Sequence, residues 1–132
     1  MRYILFGSIL FGALLAGGFT ADDSFHSTHG PPLFRSYCAS CHGVDGRGGG
    51  PVSKSLKSAP PDLTRISARN GGVFPDVRVS KIISGEGVAF GAHGSQDMPV
   101  WGPVFSIAGS DRDLGRTRIE NLVQYLRDIQ KR

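Results

Sequence analysis

Tyr37-Cys38-Ala39-Ser40-Cys41-His42-Gly43 holds both cysteines of the chain, separated by two residues, with a histidine directly after the second. Three chemistries use such a unit: a zinc site, a redox dithiol, or covalent attachment of haem. A structural zinc needs four Cys or His ligands, and beyond these three residues the chain offers only His26, His29 and His93. His93 lies far outside finger spacing from His42. A thioredoxin-type dithiol should follow a strand and open a helix, whereas here an apolar helical stretch leads in and a glycine run leads out. A short disulfide suits an oxidising compartment but leaves His42 without a role. Haem attachment uses all three residues. The thiols add to the two vinyl groups along one porphyrin edge, and the imidazole that follows is placed under the iron as an axial ligand.

The first 21 residues read as a secretory leader. Arg2 precedes an uncharged, apolar run from Tyr3 to Thr20, and Ala16-Gly17-Gly18 supplies a small-x-small exit with cleavage before Phe19. The alternative is a retained anchor, although the run falls slightly short of the roughly 20 residues of a spanning helix. Either form delivers the domain across a membrane, where haem attachment takes place. Residues 22–29 are a polar, flexible lead-in, and 30–132 form one domain, since 132 residues are too few for two of ordinary size.

Loss of Arg2 takes the formal charge from +4 to +3, and two ionised haem propionates would bring it to about +1. Lys and Arg are dispersed, with neither a basic block nor interleaved aromatics, so nucleic acid is not an expected partner. The 19 glycines are about twice the usual share of roughly 7%. They imply long loops and a modest core that a large apolar ligand would complete.

From Pro31 the apolar residues Leu33, Phe34 and Tyr37 recur at helical spacing, with proline suited to the first turn. This helix should end near His42, because Gly43 to Gly50 and Pro51 cannot continue it. One or two short turns are expected around Thr64 to Ala68. A second helix is expected from Pro75 to Ser84, with Val77, Val79, Ile82 and Ile83 apolar and Gly85 as its stop. A loop from Gly85 to Gly102 carries His93 and Met98. The last helix should start at Thr117-Arg118-Ile119-Glu120, which fits a capping box, and present Ile119, Leu122, Val123, Leu126 and Ile129 as one stripe. No segment alternates like a strand. The fold class is all-α, with three to five short helices and long Gly-rich loops around one covalent haem.

A six-coordinate iron needs a second donor. With Met1 in the leader, the internal methionine is Met98, in Gln96-Asp97-Met98-Pro99-Val100-Trp101-Gly102, where Pro99 restricts its backbone. His93 is the rival ligand. A thioether raises the reduction potential relative to a second imidazole and closes the iron to small molecules.

These stretches together resemble the class I c-type cytochromes. Leu33 to Gly48 with the Cys-x-x-Cys-His unit, Met98-Pro99-Val100-Trp101-Gly102, and Leu122-Val123-Gln124-Tyr125-Leu126 match the pattern of small monohaem bacterial cytochromes, over about residues 30 to 130. The resemblance implies a C-terminal helix crossing the first, with Phe34 and Tyr37 against Leu122, Tyr125 and Leu126. It implies that the Pro51 carbonyl accepts the Nδ1 proton of His42, and that Trp101 packs at the haem, either bonding a propionate or serving as core. Arg65, Arg69 and Arg78 are candidates to meet a propionate. The glycine run lacks both phosphate-loop patterns and would let the backbone pass close under the haem.

The expected function is that of a periplasmic one-electron carrier, expected as a monomer, rather than an enzyme. Its expected donor is a dehydrogenase or quinol-oxidising complex and its acceptor a terminal oxidase or reductase, with membrane contact only if the leader is retained. Two alternatives stand beside this: a haem c subunit of a membrane oxidoreductase complex, and a haem enzyme or gas sensor with a displaceable sixth ligand.

Overall fold

The structure is a computed structural model and describes residues 27–87, 98–107 and 112–131. The leader and His93 lie outside the described residues. Among those described there are six α-helical segments and no strand: α1 (Gly30–Tyr37), α2 (Ala39–His42), α3 (Ile66–Arg69), α4 (Asp76–Ser84), α5 (Trp101–Ile107) and α6 (Arg112–Asp128). Single 3-10 turns occur at Ser53–Ser55 and Leu63–Arg65.

Helix α1 opens with proline in its first turn, where a missing N–H leaves no bond unmade. Leu33 and Phe34 are fully buried, each contributing roughly 2 kcal/mol of hydrophobic stabilisation. The helix breaks at Cys38 and resumes as α2, which stops at Gly43 with φ 74°. Gly85, left-handed at φ 80°, ends α4 by donating its N–H to the Lys81 carbonyl. Val79 and Ile83 of α4 face the core, whereas Val77 is exposed.

Helix α6 starts at Arg112, not at a capping box. Thr117 is an interior residue whose hydroxyl donates to the Asp113 carbonyl one turn back at 2.9 Å, so the Thr117–Glu120 spacing was a coincidence of helical surface residues. Its apolar stripe is as expected: Ile119, Leu122, Val123 and Leu126 are buried. The α1–α6 crossing is made by Phe34 against Tyr125, with ring centroids 5.2 Å apart. Tyr37 turns instead to Trp101 and Phe105, both edge-on at 5.2 and 5.0 Å.

Helix α5 was not foreseen. Its Pro103 lies in the first turn, where proline is tolerated. The helix is seated by two glycines. A side chain at Gly102 would strike the Ser84 backbone at the end of α4, and one at Gly115 of α6 would meet Ser106 backbone atoms at 3.1 Å. The short Met98–Val100 approach to α5 is therefore held against α4 and α6.

Candidate functional site

The core surrounds a cavity of about 800 Å³, within the usual range for a single cofactor. Cys38, Cys41, His42 and Met98 all line it, as do Tyr37, Trp101, Leu122 and Leu126. Helix α2 supplies Cys41 and His42, the break between α1 and α2 supplies Cys38, and the segment leading into α5 supplies Met98.

The glycine run makes the α2 end possible. Gly48 N–H donates to the His42 carbonyl at 2.7 Å, Gly50 N–H to Cys41 at 3.2 Å, and Val52 N–H to Ser40 at 3.0 Å. These are the orphan carbonyls of a helix C-terminus. A Cβ on Gly50 would lie 2.5 Å from the Ala39 carbonyl oxygen. The glycines thus let the chain press against the backbone of the Cys-x-x-Cys-His turn.

His42 Nδ1 is buried and lacks a partner of hydrogen-bond geometry among the described residues. Burial pushes the imidazole below its ordinary pKa, while the nearby Pro61 carbonyl pulls in the opposite direction. A neutral imidazole with an available ring nitrogen is the form that binds a metal. The backbone acceptor beside His42 therefore belongs to Pro61 and not to Pro51. Pro51 is exposed in a turn and absent from the cavity wall, whereas Pro60 and Pro61 form part of it.

Pro61 is held by a dense set of bonds around its neighbours. Leu63 N–H donates to the Gly46 carbonyl at 2.7 Å, and the Asp62 side chain caps the turn by accepting from Thr64 N–H at 2.9 Å. Those Thr64 contacts hold the Asp62 carboxyl below the usual range. Gln130 donates to the Leu63 and Leu126 carbonyls and accepts from Ser67 N–H, which ties the end of α6 to the segment over His42. Sequence reasoning missed Gln130 and Pro61, because neither carries a local motif.

Burial pushes the Cys38 thiol up to about 12, with Cys41 adding to the effect. This is the opposite of the depressed pKa of redox dithiols and thiolate metal ligands. The two cysteines are unbonded, and among the described residues no three His, Cys, Asp or Glu side chains converge as a metal cluster. Among the described residues the site therefore holds no four-ligand Cys/His set of the zinc type.

Trp101 lines the cavity and stacks on Phe105 at 5.8 Å with 18° between planes. Arg69 and Arg78 reach the cavity wall; Arg65 is exposed and takes no part in it. The cavity is thus apolar along α6, with a sulfur–nitrogen edge at α2, a thioether from Met98 and two cations at its margin. That donor set fits a haem with two thioether links and two anionic propionates.

Among the described residues no helix is long and apolar enough to cross a membrane. No match was found among curated proteins or solved structures. The family model described as Cytochrome c matches residues 27–130, most of the chain. This family carries covalently attached haem c and transfers electrons. With a helical fold and a cavity lined by the Cys-x-x-Cys-His unit, the chain belongs to the cytochrome c family.

Proposed function

We propose that the chain is a single-haem electron carrier working outside the cytoplasmic membrane, with haem joined to Cys38 and Cys41 and iron held between His42 and Met98. The observation that carries this reading is the presence of all four side chains on the wall of one cavity, although Met98 is remote in sequence. The bound haem would supply a one-electron Fe(III)/Fe(II) couple.

The chain's own residues do the rest. Cys38 and Cys41 would fix the orientation of the group, and His42 would present a neutral imidazole beside the Pro61 backbone. Met98 offers a soft thioether, which favours the reduced state relative to a second imidazole. Leu122, Leu126 and Trp101 exclude water from the cavity and lower its polarity. Arg69 and Arg78, on the cavity wall, would offset propionate charge. No general base or nucleophile is required, since electron transfer through an exposed edge breaks no bonds.

The leader supports a periplasmic location, with a soluble form after cleavage of residues 1–21 and an anchored form otherwise. Donors of the dehydrogenase or quinol-oxidising type and acceptors of the oxidase or reductase type fit a carrier of this kind, engaged through small transient interfaces. Carbon monoxide added to the ferrous protein tests the reading against the sensor or enzyme alternative. A closed His42/Met98 iron is expected to leave the spectrum unchanged at neutral pH. A saturable spectral shift at low gas concentration would support the displaceable-ligand alternative.

A further inference from the structure

We infer that Arg118 is a positioning residue for the iron site: a buried fixed cation that pins α5, and with it Trp101 and Met98, and that favours the reduced state of the haem. The inference rests on the His42/Met98 reading above.

Arg118 is 3% exposed although it is charged. Its Nη1 donates to the Phe105 carbonyl at 3.1 Å and its Nε to the Ser27 carbonyl at 3.4 Å. Among the described residues the ion pairs involve Arg47, Arg116 and Arg127, and none involves Arg118. A buried guanidinium without a counter-charge is costly unless other groups compensate. Here the compensation comes from carbonyl oxygens. Phe105 lies in the last turn of α5, where unpaired carbonyls and the helix dipole present negative charge.

The contact reaches the iron site along two routes. Phe105 is fully buried and stacks on Trp101, which forms the cavity wall three residues after Met98. Arg118 itself stands about one turn of α6, about 6 Å along the axis, before Leu122, which also lines the cavity. A unit charge behind one layer of side chains acts through a medium of low polarity and disfavours the more positive ferric state. A neutral hydrogen-bonding residue could replace the pin but not the field.

The test is a redox titration of the holoprotein and of Arg118→Gln and Arg118→Lys, with chemical unfolding of each in parallel. Arg118→Gln is expected to shift the equilibrium toward the ferric state about tenfold, which is about 59 mV for one electron. Arg118→Lys keeps the charge and is expected to stay close to the wild-type potential while losing stability. A wild-type potential in Arg118→Gln, or an equal fall in both variants, overturns the electrostatic role. Should Arg118→Gln not fold, a lowered potential in Arg118→Lys alone overturns it. The red ferric absorption band of thioether–iron ligation separates this outcome from failure of the underlying reading. A wild-type protein without that band refutes Met98 as ligand, whereas a band with an unmoved potential in Arg118→Gln refutes Arg118 only.

Discussion

In the Met98→Ala protein the red ferric band is expected to vanish and the midpoint potential to fall by two decades or more in the redox equilibrium, about 59 mV per decade. The thioether stabilises ferrous iron relative to nitrogen or oxygen donors, and the chain's other methionine is Met1. The same variant should admit carbon monoxide that the parent excludes. Met98 is partly buried against the core, so its truncation also costs about 2 kcal/mol or more, yet the covalent haem should keep the chain folded. Met98 is held in place by its surroundings. Pro99 limits the backbone of Met98, Val100 fills the space beside Gly85, and Gly102 allows α5 to touch the end of α4. A redox titration together with the ferric spectrum checks the expectation; an unchanged band would assign the sixth position to another residue.

Gly30→Val is expected to be the most destabilising single change outside the haem ligands, by about 3 kcal/mol or more, a large part of a total stability of about 5–15 kcal/mol. Gly30 sits where α1 crosses α6. A Cβ there would lie 2.6 Å from Tyr125 Cβ and would overlap the Asn121 carbonyl oxygen. The added methyls would force the helices apart, and with them Phe34 from Tyr125 and from the cavity wall. Gly72→Ala is the matched control. It has open space around it but φ 88°, so backbone strain alone should cost about 1–2 kcal/mol. Denaturant unfolding midpoints measure both. Equal midpoints for Gly30→Val and the parent would mean that the crossing is not close-packed.

What the sequence made legible was local. The Cys-x-x-Cys-His turn, the proline start of α1, the Gly85 stop of α4 and the apolar stripe of α6 are each written in consecutive residues whose propensities and spacing agree with the final structure. Where local signals were ambiguous, tertiary packing decided. Trp101-Gly102 reads as the end of a loop until Ser84 of α4 and Gly115 of α6 are brought beside the segment, after which a glycine and an early proline suit a short helix. Thr117 and Glu120 satisfy a capping spacing, but Gly115 packed on Ser106 allows the helix to begin earlier, at Arg112.

The site followed the same division. Cys38, Cys41, His42 and Met98, which line one cavity, could be named as candidates from residue type, because few side chains can hold haem iron or form a thioether. The carbonyl beside His42 could not, since any residue supplies one and only the fold selects Pro61 over Pro51. Arg118 was hidden for a related reason. It looks like one more surface charge beside the stripe, and its burial depends on the end of α5 reaching it.

The most direct measurement is the absorption spectrum of the purified protein in both oxidation states, made in a host that attaches haem c and repeated after acid-acetone extraction. The account predicts a reduced c-type spectrum, a red ferric band before extraction, and haem that stays with the chain afterwards through Cys38 and Cys41. Protein without haem, or haem that leaves with the solvent, would contradict it.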